Sequence, residues 1–305
     1  MHTATQAAFA ARPTIGPPAD ALSDTLADVV QALRPPNFGV VAEVDGVLAG
    51  SLLVRLDSAL GGQHNIATIR RVGVLPKYRR LGAADAMVHA TLRGLSDAGI
   101  RRARLMARSD LPTTVEWWRV RGFLIDNEVP GGYIMSAFLP APLVVPTAGD
   151  MRRLGVTLAS CLRAGDVIIA SGELGAGKTV LAQGIGRGLG VAGPVVSPTF
   201  VLARNHESAT GPGLVHVDAY RLGSAAELED IDIDSGMASN VTFIEWGAGL
   251  AEGLSDERLD VHIERSEDEV RRVYLMPVGR RWREVEWDDL AHEFAVGRQE
   301  VEIYE

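Results

Sequence analysis

The chain has 305 residues, enough for two domains of ordinary size, each with its own core. A hydrophobic content of 47% with 23% charged side chains is that of a soluble globular protein, and no apolar run reaches the length of a membrane span. Charge divides unevenly: residues 1–140 carry 15 basic and 12 acidic side chains (+3), and residues 141–305 carry 15 and 27 (−12), which closes on the −9 of the whole. An acidic half is a poor grip for phosphate backbones, so any RNA is expected to be reached only indirectly, through a partner.

Met1 to Arg12 is alanine-rich and lacks the basic start and long apolar core of a signal peptide, so the expected location is the cytoplasm. Residues 20–33 place Leu22, Leu26, Val29, Val30 and Leu33 on one helical face, and Pro35-Pro36 ends that helix. Two strand-like runs follow, Phe38 to Val44 and Val47 to Leu56, joined at Asp45-Gly46, a strong hairpin signal. A third run, Ile66 to Val74, leads through Pro76-Lys77-Tyr78-Arg79-Arg80-Leu81-Gly82 into a helix from about Ala83 to Ala98, with Met87, Val88, Leu92 and Leu95 on its apolar face. Arg102 to Arg108 reads as a strand, Thr114 to Arg121 as a short helix, and Gly122-Phe123 opens a last strand region to Phe138.

Over about residues 12–139 these features resemble the GNAT N-acetyltransferase family. The residues that carry the resemblance are Val74-x-Pro76, then Arg79, Gly82 and Ala84 in the acyl-CoA signature, and Trp118-x-x-x-Gly122-Phe123. The resemblance implies an α+β domain that binds acetyl-CoA through Val74, Arg79, Gly82, Ala83 and Ala84, with backbone amides at a helix start facing the pyrophosphate. It also locates the expected chemistry. Members often use a tyrosine four residues before the Gly-Phe pair as acid, where Trp118 stands here and has no labile proton to give. Many carry a glutamate on the strand before the signature, but Ile66 to Val74 has no carboxylate; His64, just before it, reads either as a substitute base or as an ordinary surface-loop histidine. Arg80 fills a position usually taken by glycine.

Three prolines between Leu139 and Pro146 mark a linker, residues 140–146, and so a boundary between a domain at 1–139 and one at 147–279. A helix is expected from Gly149 to Leu162, with Met151, Leu154, Leu158 and Leu162 on one face. Cys161, the one cysteine, rules out an intrachain disulfide and is expected to pack on that helix.

Next comes the stretch with the clearest chemistry. Val167 to Ala170 is a short apolar strand, and Gly172, four residues, then Gly177-Lys178-Thr179 match the phosphate-binding loop pattern. Glycines let the backbone of Gly172, Glu173, Leu174, Gly175, Ala176 and Gly177 curl its N–H groups toward a polyphosphate, and a helix from about Lys178 to Leu189 adds its positive end. Lys178 would reach the outer phosphates of a nucleotide, and the Thr179 hydroxyl would hold magnesium. Only Lys77 and Lys178 among 30 cationic side chains are lysine, so this chain places lysine where a slim point charge is needed.

Val195-Val-Ser197-Pro198-Thr199-Phe200 reads either as a proline turn before a strand or as a switch segment with Ser197 and Thr199 near a terminal phosphate. Leu214 to Asp218 and Val241 to Glu245 are apolar strands, each ending in an acid, and residues 225–233 form an acidic turn or helix. In an open, mostly parallel sheet, all three strands deliver these groups to one carboxyl edge. One acid can then orient the magnesium shell and the other a water.

The phosphate loop, Ser197-Pro198-Thr199, His216-Val-Asp218-Ala-Tyr220-Arg221 and Ile244-Glu245-Trp246 occur in the order and spacing of the TsaE family, which residues 145–278 resemble. That family supplies the ATPase subunit of bacterial tRNA threonylcarbamoyladenosine biosynthesis. The resemblance implies that Lys178 and Thr179 hold ATP and magnesium, that Glu245 is the second magnesium contact, and that Asp218 is required for hydrolysis. It puts Thr199 near the terminal phosphate and Trp246 beside the nucleotide. It further implies two partners, a threonylcarbamoyl transferase subunit and its dimerising partner, whose complex is reset by ATP turnover.

The fold expected is therefore α/β in two domains, a GNAT-like α+β domain and a P-loop NTPase domain, followed by a tail, residues 280–305, with a short helix around Trp282, Trp287 and Phe294. Two other readings of the second half stand beside this one. A small-molecule P-loop kinase would need lid arginines, yet Gly188 to Val215 holds only Arg204. A nucleotide-gated scaffold would bind ATP and acyl-CoA with little turnover.

Overall fold

The computed structural model describes all residues except 13–19, 58–64, 232–233, 267–268, 288, 291–293 and 295–305. His64 therefore lies outside the described residues. The chain divides into two units, Met1–Leu139 and Pro140–Glu305.

In the first unit, α1 (His2–Ala10) and α2 (Leu26–Ala32) precede strands β1 (Phe38–Val44), β2 (Val47–Asp57) and β3 (Ile66–Val74). Then come α3 (Ala83–Asp97), β4 (Arg102–Arg108), α4 (Pro112–Arg119), β5 (Leu124–Val129) and β6 (Gly132–Phe138). The β1–β2 turn is the two-residue hairpin that Asp45-Gly46 dictates, with φ of 52° and 72° at its corners. One six-stranded sheet results, in the order β1-β2-β3-β4-β6-β5. Only β3 and β4 are parallel, and their ladder is three residues long, Ile66 to Thr68 against Arg102 to Arg104. Beyond Thr68 the two strands run on without pairing to each other, to Val74 and Arg108. The apolar face of α3 is buried as its spacing requires, through Met87, Val88, Leu92 and Leu95.

The helix expected over residues 20–33 is broken. A 3-10 turn (Asp20–Leu22) is followed by α2, which is capped by Thr25, whose side chain and Asp28 form a capping box. Such a box fixes a helix start wherever it occurs, here in the middle of the expected stripe. Of that stripe only Val29 is fully buried, while Leu26 and Val30 face solvent.

The second unit contains β7 (Leu143–Val145), α5 (Ala148–Ala159), β8 (Val167–Gly172), α6 (Lys178–Gly188), β9 (Ala203–His206) and β10 (Gly213–Asp218). It continues with α7 (Ala225–Glu229), α8 (Asp234–Met237), β11 (Asn240–Glu245), β12 (Arg258–Arg265) and β13 (Arg271–Val278). The sheet runs β7-β13-β12-β8-β11-β10-β9. Its four central strands, β12, β8, β11 and β10, are parallel, and the edges are antiparallel. Both faces of β8 are covered, so Val167 to Ala170 is apolar without interruption. Ile168 and Ala170 join α5 and α6 in one core through Met151, Leu154, Leu158, Leu181 and Ile185. Val167 and Ile169 join a second core with Val215, Val217, Ile244 and Leu228.

Two expectations for this half change. The stretch read as a linker contributes β7, with Leu143 and Val145 buried against β13, because a proline at an edge strand's end costs no ladder bond. Of the stretch read as a tail, the described residues Trp282, Trp287, Leu290 and Phe294 belong to the core and pack with the α5–α6 layer. It is pinned there by Arg281, whose guanidinium donates two hydrogen bonds to the buried carboxylate of Asp166, at 3.0 and 2.8 Å.

Candidate functional site: a phosphate loop at the edge of a parallel sheet

Parallel strands end at the same edge, and the register here is tight: Asp218 lies beside Glu245, and Glu245 beside Ala170. The phosphate loop leaves β8 at Gly172, where φ is 144° and a Cβ would come within 2.4 Å of the Ile263 carbonyl oxygen, so no side chain fits. Glu173, Leu174 and Gly175 are exposed at the loop's crest, Ala176 is buried beneath it, and Gly177 caps α6 at φ 112°.

Lys178 is only 4% exposed. Its ammonium curls back to donate to the carbonyls of Gly172 (2.7 Å) and Glu173 (3.0 Å) and lies 3.6 Å from the centroid of the Trp246 ring. Burial pulls its pKa below the usual lysine value of 10.5, and the charges of Glu245 and Asp218 oppose that pull. A desolvated ammonium satisfied by neutral carbonyls suits a polyphosphate, which would supply charged acceptors in their place.

Glu245, buried at the end of β11, accepts a hydrogen bond from the Thr179 hydroxyl at 2.7 Å and meets the His216 ring nitrogen at 2.9 Å, both on Oε1. Asp218, equally buried, accepts from the Thr199 hydroxyl at 2.6 Å and from the backbone N–H of Tyr220 at 3.0 Å. Ser197 and Thr199 share a hydrogen bond of 2.7 Å, and Arg221 donates to the Thr199 carbonyl. The 197–199 segment is thus tied by its hydroxyls and its main chain to residues 218–221. Trp246, directly after Glu245, has φ at 61°, a backbone value that bulky residues seldom adopt, and its backbone N–H donates to the Ala170 carbonyl. Tyr220 lies 5.1 Å from it, ring to ring.

Among the described residues no cluster of three or more metal-ligating side chains occurs. A magnesium ion that arrives with a nucleotide needs none, since one or two protein oxygens plus phosphate and water complete its shell. Thr179 and Glu245 are placed to supply those oxygens. Lys178, Thr179, Thr199, Asp218, Glu245 and Trp246 are therefore brought together at one sheet edge around Gly172–Gly177. His216 and Arg221 lie within the same motif as Asp218, but the sequence alone gives them no role. The period of two was the signal for His216, since it shares the parity of Asp218 on its strand.

In the first unit Val74 closes β3, and Gly82, at φ 76°, caps α3 ahead of Ala83 and Ala84. This strand–turn–helix arrangement turns backbone N–H groups at the start of α3 outward, where a helix end can receive an anion. Arg79, however, turns its guanidinium onto the carbonyls of Ala8 (3.0 Å) and Ala11 (3.4 Å), beside the end of α1. Trp118 is buried edge-on against Phe123, 4.9 Å between centroids, and is a core residue.

The second unit is a P-loop nucleotide-binding domain, and the first has the GNAT-like α+β fold. The family model described as "Threonylcarbamoyl adenosine biosynthesis protein TsaE" matches residues 145–273, and that of the acetyltransferase (GNAT) family matches residues 6–123. The protein of Streptomyces coelicolor named tRNA threonylcarbamoyladenosine biosynthesis protein TsaE is 54% identical over 138 residues, which cover 43% of this chain and 93% of that protein. Proteins of the same name are 46% identical in Mycobacterium tuberculosis, over 45% of this chain and 86% of that one, and 36% identical in Bacillus subtilis, over 44% and 83%. The chain belongs to the TsaE family and carries a GNAT domain ahead of its TsaE domain.

Proposed function

We propose that the second unit is the ATPase subunit of the machinery that makes threonylcarbamoyladenosine in tRNA. It binds ATP with magnesium and hydrolyses it to reset a complex with the threonylcarbamoyl transferase subunit and that subunit's dimerising partner. The observation that carries this reading is the meeting of two buried strand-end acids with a phosphate loop: Glu245 bonded to Thr179 and Asp218 bonded to Thr199. Lys178 holds the outer phosphates, and Thr179 with Glu245 holds the magnesium, which supplies charge neutralisation on the phosphate oxygens. Asp218 orients a water and couples it, through Thr199, to the 197–199 segment. The −12 charge of residues 141–305 supports indirect contact with tRNA, through partners. The proposed location is the cytoplasm; among the described residues no helix is long and apolar enough to cross a membrane.

For the first unit the proposal is binding of acetyl-CoA, with the pyrophosphate at the backbone of Gly82, Ala83 and Ala84 and the acyl arm along Val74. Trp118 supplies no proton, so an acyl transfer by this unit takes its acid from elsewhere.

The test is the threonylcarbamoyladenosine content of tRNA, by mass spectrometry, in cells lacking their own ATPase subunit. The full chain and residues 140–305 should restore the nucleoside, and the Lys178→Ala form should not. If neither soluble form restores it together with cognate partner subunits, the reading fails.

A further inference from the structure

The imidazole of His216 sits on β10, the outermost of the four parallel strands, fully buried and edge-on to the Phe243 ring at 5.7 Å between centroids. Its Nε2 is 2.9 Å from Oε1 of Glu245, while its Nδ1 is buried with no hydrogen-bond partner among the described residues. Packing alone does not account for this residue. A leucine or phenylalanine would fill the same apolar slot without stranding a polar nitrogen, which is a standing cost in a protein interior. The gain must lie in the other nitrogen. A carboxylate only accepts, so the proton of the bond sits on Nε2 and the ring is the donor.

The geometry at Glu245 shows what that donor accomplishes. Oε1 takes two hydrogen bonds, from Thr179 on α6 and from His216 on β10, whereas Oε2 accepts none among the described residues. One donor would leave the carboxylate free to pivot about a single bond. Two donors on different elements fix its plane and reserve Oε2. We infer that His216 is a positioning residue for magnesium: it locks the Glu245 carboxylate so that Oε2 faces the ion that accompanies the nucleotide. This rests on the reading of Glu245 as a magnesium contact. His216 touches neither nucleotide nor metal and acts only through Glu245.

The test measures the coupling between magnesium and nucleotide in the full chain rather than turnover. Affinity for a non-hydrolysable ATP analogue is read by calorimetry in EDTA and in magnesium, and the ratio of the two dissociation constants is the coupling. His216→Leu should leave the EDTA affinity within about twofold and cut the coupling by roughly tenfold, the scale at which residues behind a metal ligand act. His216→Gln, which keeps an N–H near the position of Nε2, should recover most of it. Unchanged coupling in a folded His216→Leu chain, or equal loss in both variants, overturns the inference.

If neither variant folds, nitrogen-15 spectra of the unaltered chain decide. The inference requires the Nε2–H tautomer at His216, with and without the magnesium-bound analogue; the Nδ1–H tautomer refutes it. Glu245→Gln separates the layers. If that change spares the coupling, the reading of Glu245 as a magnesium contact fails; if it abolishes the coupling while His216→Leu does not, only the positioning role fails.

Discussion

Two strand–turn–helix corners in this chain are built on one plan and differ in what surrounds them. At residues 74–84 a strand ends, glycine takes a positive φ, and α3 begins; at 172–179 the same sequence of events leads into α6. A helix start offers an anion its N–H groups in either place. In the second corner the neighbouring strand β11 ends in Glu245 and the next strand, β10, in Asp218, and the loop's lysine lies against the Trp246 ring. In the first, β3 carries no carboxylate, and the arginine of the signature is turned away onto α1. On the proposed function, the first corner grips a phosphate with a turn and a helix alone, and the second also breaks one with the acids of nearby strands.

The largest expected effect falls on the second corner. Lys178→Ala should abolish ATP binding, a loss of at least about 100-fold or some 2.7 kcal/mol, read by calorimetry, because a buried ammonium is replaced by a void facing phosphate. The burial of Lys178 also sets a pH dependence. Its native pKa is below the ordinary 10.5, so below that native value folding bears the cost of a desolvated charge, and the cost is relieved as pH rises toward 10.5. Nucleotide affinity should run the other way and fall as pH rises through the lowered value. A decline beginning only near 10.5 would contradict the burial argument.

Glu245→Gln should spare nucleotide binding in EDTA and remove turnover, by about 100-fold or more in a single-turnover assay with partner subunits present. Retained turnover would place the comparison between the two corners in error, since it would show that a phosphate loop works without its neighbour's acid.

Next in size is a change remote from both corners. Arg281→Ala leaves Asp166 charged and buried without its two-pronged partner, a loss of about 3 kcal/mol or more. Thermal melting should show it as a drop of roughly 6–12 °C in the second unit's transition. A drop of a degree or less would mean that the C-terminal stretch is held by its tryptophans alone.

How much of this was legible in the sequence follows from the range of the forces involved. The hairpin at Asp45-Gly46, the buried face of α3 and the phosphate loop are written in neighbouring residues, and each is where its spacing puts it. The acids at the ends of β10 and β11 were visible because a buried strand is a short apolar run with an abrupt end. The Arg281–Asp166 pair was not visible, because its members lie 115 residues apart and only the folded sheet brings them together. Strand β12 is disguised by its sequence: Leu259, Val261 and Ile263 alternate with charged or polar residues, a pattern that suggests a half-exposed strand and not a member of the parallel core. Helix α1, rich in alanine, has no apolar stripe to announce it; it is recognised only by what it covers, Gly73 of β3 beneath Ala8 and Phe9.

That helix supplies the smallest and sharpest test of the comparison. Arg79 stands in the acyl-CoA signature, yet its side chain is engaged with Ala8, Ala11 and the Val74 carbonyl. If the anion at this corner is held by backbone amides at the start of α3, Arg79→Ala should change acetyl-CoA affinity by no more than about threefold. The same change should cost the first unit roughly 1 kcal/mol, a few degrees in melting temperature, through the lost anchor on α1. Gly82→Val should do the reverse. It forces a β-branched residue into φ 76°, distorts the turn that aims the amides, and so lowers acetyl-CoA affinity by more than its stability cost explains. Should Arg79→Ala abolish binding while leaving the melting temperature untouched, the guanidinium is the anion's ligand after all, and the two corners grip phosphate by the same device, a cationic side chain.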